Sequence, residues 1–260
     1  MKVSAVLFDI DGTLFTGLHP IPGAAETVGY LLSREIPCCF ISNGTRRARA
    51  GVLDKLSLLG LPIHKEQIIT PAIAAIEYLK IQGISECCLI SGGDVAEDFL
   101  QAGICLSDNA HTVVIGDAGD NFTYASMNRV FRLVIGGADL IALEKDRYWM
   151  DSDGLSLGAG AFVTALEYAS GRSSLLIGKP SDEFFTMALT TMGADPSSTM
   201  MVGDDVVSDI GGAQRQGMAG VLVMTGKYKK EVCDHSLIKP DYVIPSVAAI
   251  PDLIRGHFDV

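Results

Sequence analysis

No uncharged apolar stretch in this 260-residue sequence reaches the roughly 18 residues that a membrane-spanning helix requires. Lys2 is followed by six residues of apolar character before Asp9 interrupts, too short a run for a secretory signal. Both absences point to a cytoplasmic protein with no membrane attachment. Basic residues are also in deficit: 20 Lys and Arg stand against 31 Asp and Glu, a formal net charge of −11. Such a surface disfavours non-specific attraction to nucleic acid, and an anionic ligand would need a locally placed cation. Cysteine is present without the C-x-x-C spacing of a metal or redox site, as Cys38-Cys39, Cys87-Cys88, Cys105 and Cys233. Buried reduced thiols are the expected state. The five histidines are scattered with no two at metal-ligand spacing, and neither internal repeats nor low-complexity segments occur.

What is present is a folded-protein composition, 48% hydrophobic and 20% charged, in a chain long enough for one large or two ordinary domains. Val3 to Phe8 is a continuous apolar run ending at a glycine-containing loop, as a strand buried on both faces should. A helix over 21–33 and a short buried strand in PCCFISNGT follow, giving the strand–helix–strand alternation of a parallel α/β sheet. The alternation returns late: strand and turn in SLLIGKP (174–180), a helix over 181–192 with Ser181 as N-cap, and a strand over 199–205 ending on acids. Next come a helix over 206–216 closed by Gly217, strands over 220–225 and 241–246, and a short C-terminal helix.

Between these halves, helices over 72–82, 95–102, 122–135 and 160–170 alternate with strands over 87–91, 112–116 and 139–143. About a hundred residues of this kind can hold their own core. The expected organisation is therefore a discontinuous domain of residues 1–70 and 174–260 with a second α/β domain, 71–173, inserted into it.

In an open parallel sheet, ligands bind beyond the carboxyl ends of the strands. The expected ends carry Asp9 and Asp11, then Ser42-Asn43, then Lys179, then Asp204, Asp205 and Asp209. Crowded carboxylates repel, so such a crevice needs a cation. Magnesium suits an all-oxygen site of one or two carboxylates plus substrate phosphate, and Asp9 and Asp204 fit as those carboxylates. A carboxylate can also attack phosphorus, dividing ester hydrolysis into two steps, while a second one two residues along handles protons. Asp9 suits the first task and Asp11 the second. Lys179, Ser42, the Asn43 N–H and the amides of the Gly12-Thr13 turn can hold the phosphate oxygens.

DIDGTL (9–14), ISN (41–43), GKP (178–180) and GDDVVSD (203–209), in this order, resemble the four motifs of the haloacid dehalogenase (HAD) superfamily of phosphohydrolases. An insertion between the second and third motifs resembles the type IIA branch, whose fold is a Rossmann-like parallel-sheet core with a large α/β cap. GADLIAL (136–143), DRYW (146–149) and LGAGAF (157–162) are similar to segments of that branch, so the resemblance spans nearly the whole chain. Within it, the chain looks most like p-nitrophenylphosphatase-like proteins and the phospholysine phosphohistidine inorganic pyrophosphate phosphatases.

The resemblance implies a magnesium-dependent phosphatase acting on a small phosphorylated substrate. Asp9 would be nucleophile and metal ligand, and Asp11 acid/base with its backbone carbonyl on the metal. Gly12, Ser42, Asn43 and Lys179 would bind the phosphate. Asp204 would bind the metal directly, with Asp205 and Asp209 acting from behind it. A homodimer formed through the cap would suit the resemblance. Alternatives are a phosphotransferase, or a phosphate-sensing or scaffold protein acting through its cap.

Substrate choice is expected in the cap, where Asp117, Tyr124 and Trp149 are conceivable contacts and EKD (144–146) replaces an Asn-Pro-Asp-like turn of many relatives. Arg46, Arg47 and Arg49 read as a solvated helix face.

Overall fold

The structure, a computed structural model, describes residues 3–151 and 154–257. These fall into two compact units. One holds the described residues up to Ser42, then Val52–Ile69, then those from Lys179 onward; the other holds Asn43–Gly51 and Thr70–Gly178.

The first unit is organised by strand Ala5–Asp9, buried along its whole length, as its apolar sequence demands of a strand covered on both faces. It sits inside a six-stranded parallel sheet in the order Tyr242–Ile244, Ala219–Val223, Thr199–Gly203, Ala5–Asp9, Cys38–Ile41, Ile68–Ile69. Its apolar side chains, among them Phe8, Phe40, Val202 and Val221, join helix Ala24–Ser33 and helix Ile250–His257 in one core. Helix Asp182–Met192 starts at Ser181, whose hydroxyl accepts from the Phe184 N–H at 3.3 Å, and ends at left-handed Gly193.

Register fixes the site. Phe8 pairs with Val202 and Asp9 with Ile41. Asp204 and Ser42 therefore follow directly on the two strands flanking Asp9, whose axes in a sheet are about 4.8 Å away.

The second unit has its own five-stranded parallel sheet, ordered Leu175–Leu176, Asp139–Ala142, Thr112–Ile115, Glu86–Ile90, Cys105–Leu106. Helices Pro71–Ile81, Ala96–Gln101, Tyr124–Ile135 and Ala159–Ser170 accompany it, and Val113, Ile115, Val130, Val134 and Val163 belong to its core. An antiparallel hairpin, Tyr148–Asp151 with Gly154–Leu157, leads into the last of these helices.

Several elements differ from the sequence expectation. Leu175–Leu176 was expected in the first sheet but pairs with Asp139–Ala142 in the second. Two apolar residues carry no information about which sheet they join, and Lys179 consequently arrives on a loop rather than at the end of a first-sheet strand. The helix expected over 206–216 is a wide π-helical turn, Val206–Gly211, followed by a short α-helix, Gly212–Arg215. The wide turn is set where the Ile210 N–H reaches back to the Asp205 carbonyl. The helix expected from 122 begins at Tyr124, because Thr123 caps it by accepting from the Ser126 N–H. Arg46 and Arg47 precede helix Arg49–Leu58 instead of lying on it.

Candidate active site

Asp9 ends its strand 4% exposed, and its carboxylate accepts from the Lys179 ammonium and from the Thr13 hydroxyl at 3.3 Å. Lys179, equally buried, also donates to Asp209 at 2.7 Å. The other Asp209 oxygen accepts the Asp205 N–H at 3.0 Å, so this carboxylate bridges the lysine to the loop after strand Thr199–Gly203. Asp204 accepts the Lys227 N–H at 2.7 Å. Asp9, Asp204 and Asp209 each offer an oxygen within 4.8 Å of the others.

The electrostatics of this group are unbalanced. Burial raises the Asp9 carboxyl well above its ordinary range, Lys179 opposes that, and Asp209 and Asp204 reinforce it. Burial and then Asp209 push Asp204 up to about 7 against the Lys227 N–H. Burial alone would lower Lys179, but Asp209 and Asp9 outweigh it and the ammonium is held charged. Three buried carboxylates thus face one buried ammonium. An all-oxygen donor set with surplus negative charge fits a hard divalent cation, and Asp9 and Asp204 are the members that would hold it.

Glycines allow the loops to close on these acids. A Cβ at Gly12, where φ is +89°, would lie 1.9 Å from an Asp204 oxygen, and one at Gly226 equally close to the same atom. The Thr225 hydroxyl donates to the Gly12 carbonyl at 2.5 Å, tying the two loops together.

Asp11 stands apart in character. Its side chain is 64% exposed, accepts from the Ser42 hydroxyl at 3.3 Å and lies 3.9 Å from the Lys55 ammonium. An exposed carboxyl beside a buried one is what proton exchange with solvent requires. Asp205 accepts from the Val207 and Ser208 N–H groups and caps the following turn, with Lys227 at 3.6 Å. Despite burial, these N–H groups and Lys227 hold it below the usual carboxylate range.

The first unit thus brings together Asp9, Asp11, Gly12, Ser42, Lys179, Asp204, Asp205 and Asp209. Asn43, half-buried, opens the segment that packs in the second unit. There Thr45 accepts the Asp117 N–H, and Asp94 and Asp98 accept the Ala48 and Arg49 N–H groups. Asp117 caps the turn at Gly119, Tyr124 is 86% exposed, and the Arg46 guanidinium lies 5.8 Å over the Trp149 ring.

Sequence reasoning missed the Thr13 hydroxyl, Lys55 and the Thr225–Lys227 loop. The loop was findable, since it follows a strand of the same sheet and ends in Thr-Gly-Lys, but it lacks the acids that drew attention elsewhere.

Comparison with known proteins identifies the family and the fold. Residues 6–105 match the family described as haloacid dehalogenase-like hydrolase, and 176–250 match a HAD-hydrolase-like family. Phospholysine phosphohistidine inorganic pyrophosphate phosphatase of Homo sapiens is 37% identical, the match covering 99% of this chain and 96% of that protein. Haloacid dehalogenase-like hydrolase domain-containing protein 2 of Bos taurus is 40% identical over 92% of this chain and 90% of its own. In structure, the p-nitrophenyl phosphatase from Archaeoglobus fulgidus superposes with a TM-score of 0.91 at 26% identity, covering 97% of this chain and 99% of that one. The chain belongs to the haloacid dehalogenase superfamily of hydrolases, and proteins named as phosphatases are among its relatives. Among the described residues no helix is long and apolar enough to cross a membrane.

Proposed function

We propose that this chain hydrolyses a small phosphorylated substrate in two steps through an aspartyl-phosphate on Asp9. The observation that carries the reading is the shared lysine: Lys179 bonds both Asp9 and Asp209, fixing the attacking carboxylate beside a permanent positive charge. In the first step an Asp9 oxygen bonds to phosphorus as the bond to the leaving oxygen breaks, and the Asp11 carboxyl gives that oxygen its proton. In the second, Asp11 takes a proton from water, the water oxygen bonds to phosphorus, and the Asp9–phosphorus bond breaks to release phosphate. Lys179, the Ser42 hydroxyl and the N–H groups of Gly12, Thr13 and Asn43 would hold the phosphoryl oxygens.

Magnesium would be held by Asp9 and Asp204 with the Asp11 backbone carbonyl, and supplies charge neutralisation to the phosphoryl group when bound. The second unit is read as the cap that selects the substrate. The human relative named above makes phosphoramidates and pyrophosphate the first candidates beside phosphate monoesters.

The test is phosphate release from p-nitrophenyl phosphate with magnesium, followed by a panel including pyrophosphate and phosphohistidine. Wild-type protein is expected to turn over and Asp9→Asn to be inactive. Equal rates for the two folded proteins across the panel would overturn the reading.

A further inference from the structure

The second unit carries an open cavity of about 570 Å³ along one face of helix Tyr124–Ile135. Successive turns of that helix supply Tyr124, then Asn128 and Arg129, then Arg132, and Asn109 faces them from the turn before strand Thr112–Ile115. Two guanidinium groups, two amides and a phenol line it with no carboxylate, in a chain whose net charge is −11. Such a lining is rich in donors and poor in acceptors.

Its positive charge is only half answered. Asp108 pairs with Arg129 at 2.6 Å, whereas exposed Arg132 has no ion pair or side-chain hydrogen bond among the described residues. The Arg129 Nε–H is buried and finds no acceptor among the described residues either. A buried donor calls for an acceptor, and two like charges three residues apart on a helix repel unless an anion spans them. Guanidinium forks take carboxylate or phosphate oxygens in pairs.

An adjoining apolar groove of about 240 Å³ shares Tyr124 and Asn128 and runs over Met127, Phe131 and Leu166. The combined surface offers an oxyanion seat at one end and an aromatic-lined track at the other.

We propose that this face binds a small organic anion, its oxyanion on Arg129 and Arg132 and its apolar body against Tyr124 and Phe131. With one of two cations already paired, the site suits a single small anion and not a nucleic-acid backbone, which demands a row of them. Every residue of the site lies in the second unit, so the proposal does not rest on the hydrolytic reading.

The experiment is backbone-amide NMR of the full chain in EDTA, titrated separately with non-hydrolysable phenylphosphonate and with benzoate. One or both are expected to give saturable shifts across residues 124–133, and the tighter binder identifies the head group. Arg132→Glu and, independently, Asn128→Asp are expected to weaken binding at least about tenfold. Absence of shifts in 124–133, shifts confined to residues 9–13, or wild-type affinity in either variant would overturn the proposal. Hydrolysis of p-nitrophenyl phosphate, measured on separate samples with magnesium and without EDTA or titrant, fails or succeeds independently of these shifts.

Discussion

The Lys179 ammonium lies 2.7 Å from an Asp209 oxygen, and the opposite Asp209 oxygen is held by the Asp205 N–H at 3.0 Å. Asp209 is therefore a strut: it sets the lysine that in turn meets Asp9. Lys179→Met would leave the buried carboxylates without their ammonium, and removing one partner of a buried ion pair costs about 3–5 kcal/mol. Phosphate release should become undetectable. Asp209→Asn keeps the shape but can accept through only one oxygen, so a milder loss of about 1–3 kcal/mol is expected, with kcat lower by about a hundredfold. Urea unfolding and initial rates check both; a Lys179→Met protein of wild-type stability and rate would refute the strut.

Gly12 is demanded twice over, by its φ of +89° and by the Asp204 oxygen 1.9 Å from where a Cβ would stand. Gly171, with φ +68° and nothing within 4 Å, is demanded by conformation alone. Gly171→Ala should cost about 1–2 kcal/mol and leave turnover intact. Gly12→Ala should cost more than that and also depress kcat, because Asp204 must move. Equal effects of the two substitutions on both readouts would show that the contact does not matter.

The surplus of buried carboxylate over ammonium predicts stabilisation by a divalent ion. At a hundredfold excess over its dissociation constant, a ligand bound only by the folded state adds about 2.7 kcal/mol. Magnesium should raise the melting temperature of the wild type and be required for turnover, and EDTA should reverse both. Asp204→Asn should lose the magnesium-dependent rise. A rise of the same size in that variant would move the ion elsewhere.

How far the sequence discloses this arrangement depends on the distance over which its information acts. Asp9, Ser42 and Asp204 were legible because each ends or directly follows a short, fully buried strand, a local pattern that a parallel sheet turns into proximity. The bridging role of Asp209 was not, since it depends on a π-helical turn whose width no residue spacing announces. The same limit hid the partner of Leu175–Leu176, too short to carry a pattern. Tertiary pairing decided these, not propensity.

Glu144 illustrates the same limit and supplies a pH test. Only 4% exposed, its carboxylate accepts the Asp146 N–H with one oxygen and, at 2.9 Å, the Ala159 N–H with the other, clasping both ends of the segment that contains the hairpin. Gly158 and Gly160 close the clasp: a Cβ on either would fall 2.2 or 2.4 Å from the Asp146 or Lys145 carbonyl oxygen. Burial, then Asp146, and more weakly Asp117, push the Glu144 carboxyl up to about 7 against those two N–H groups, while Lys145 is engaged by Glu167. Between the ordinary glutamate value and about 7 the folded chain binds more protons than the unfolded one, so this group's contribution to stability falls as pH rises through that window and is level above it. Glu144→Gln cannot titrate and leaves one N–H facing an amide NH₂. Its deficit relative to wild type should therefore be largest near pH 5 and narrow toward pH 8, by on the order of 3 kcal/mol at most. Urea unfolding of both proteins at the two pH values reads the difference directly, and a deficit that stays constant would mean that Glu144 is ionised throughout the range.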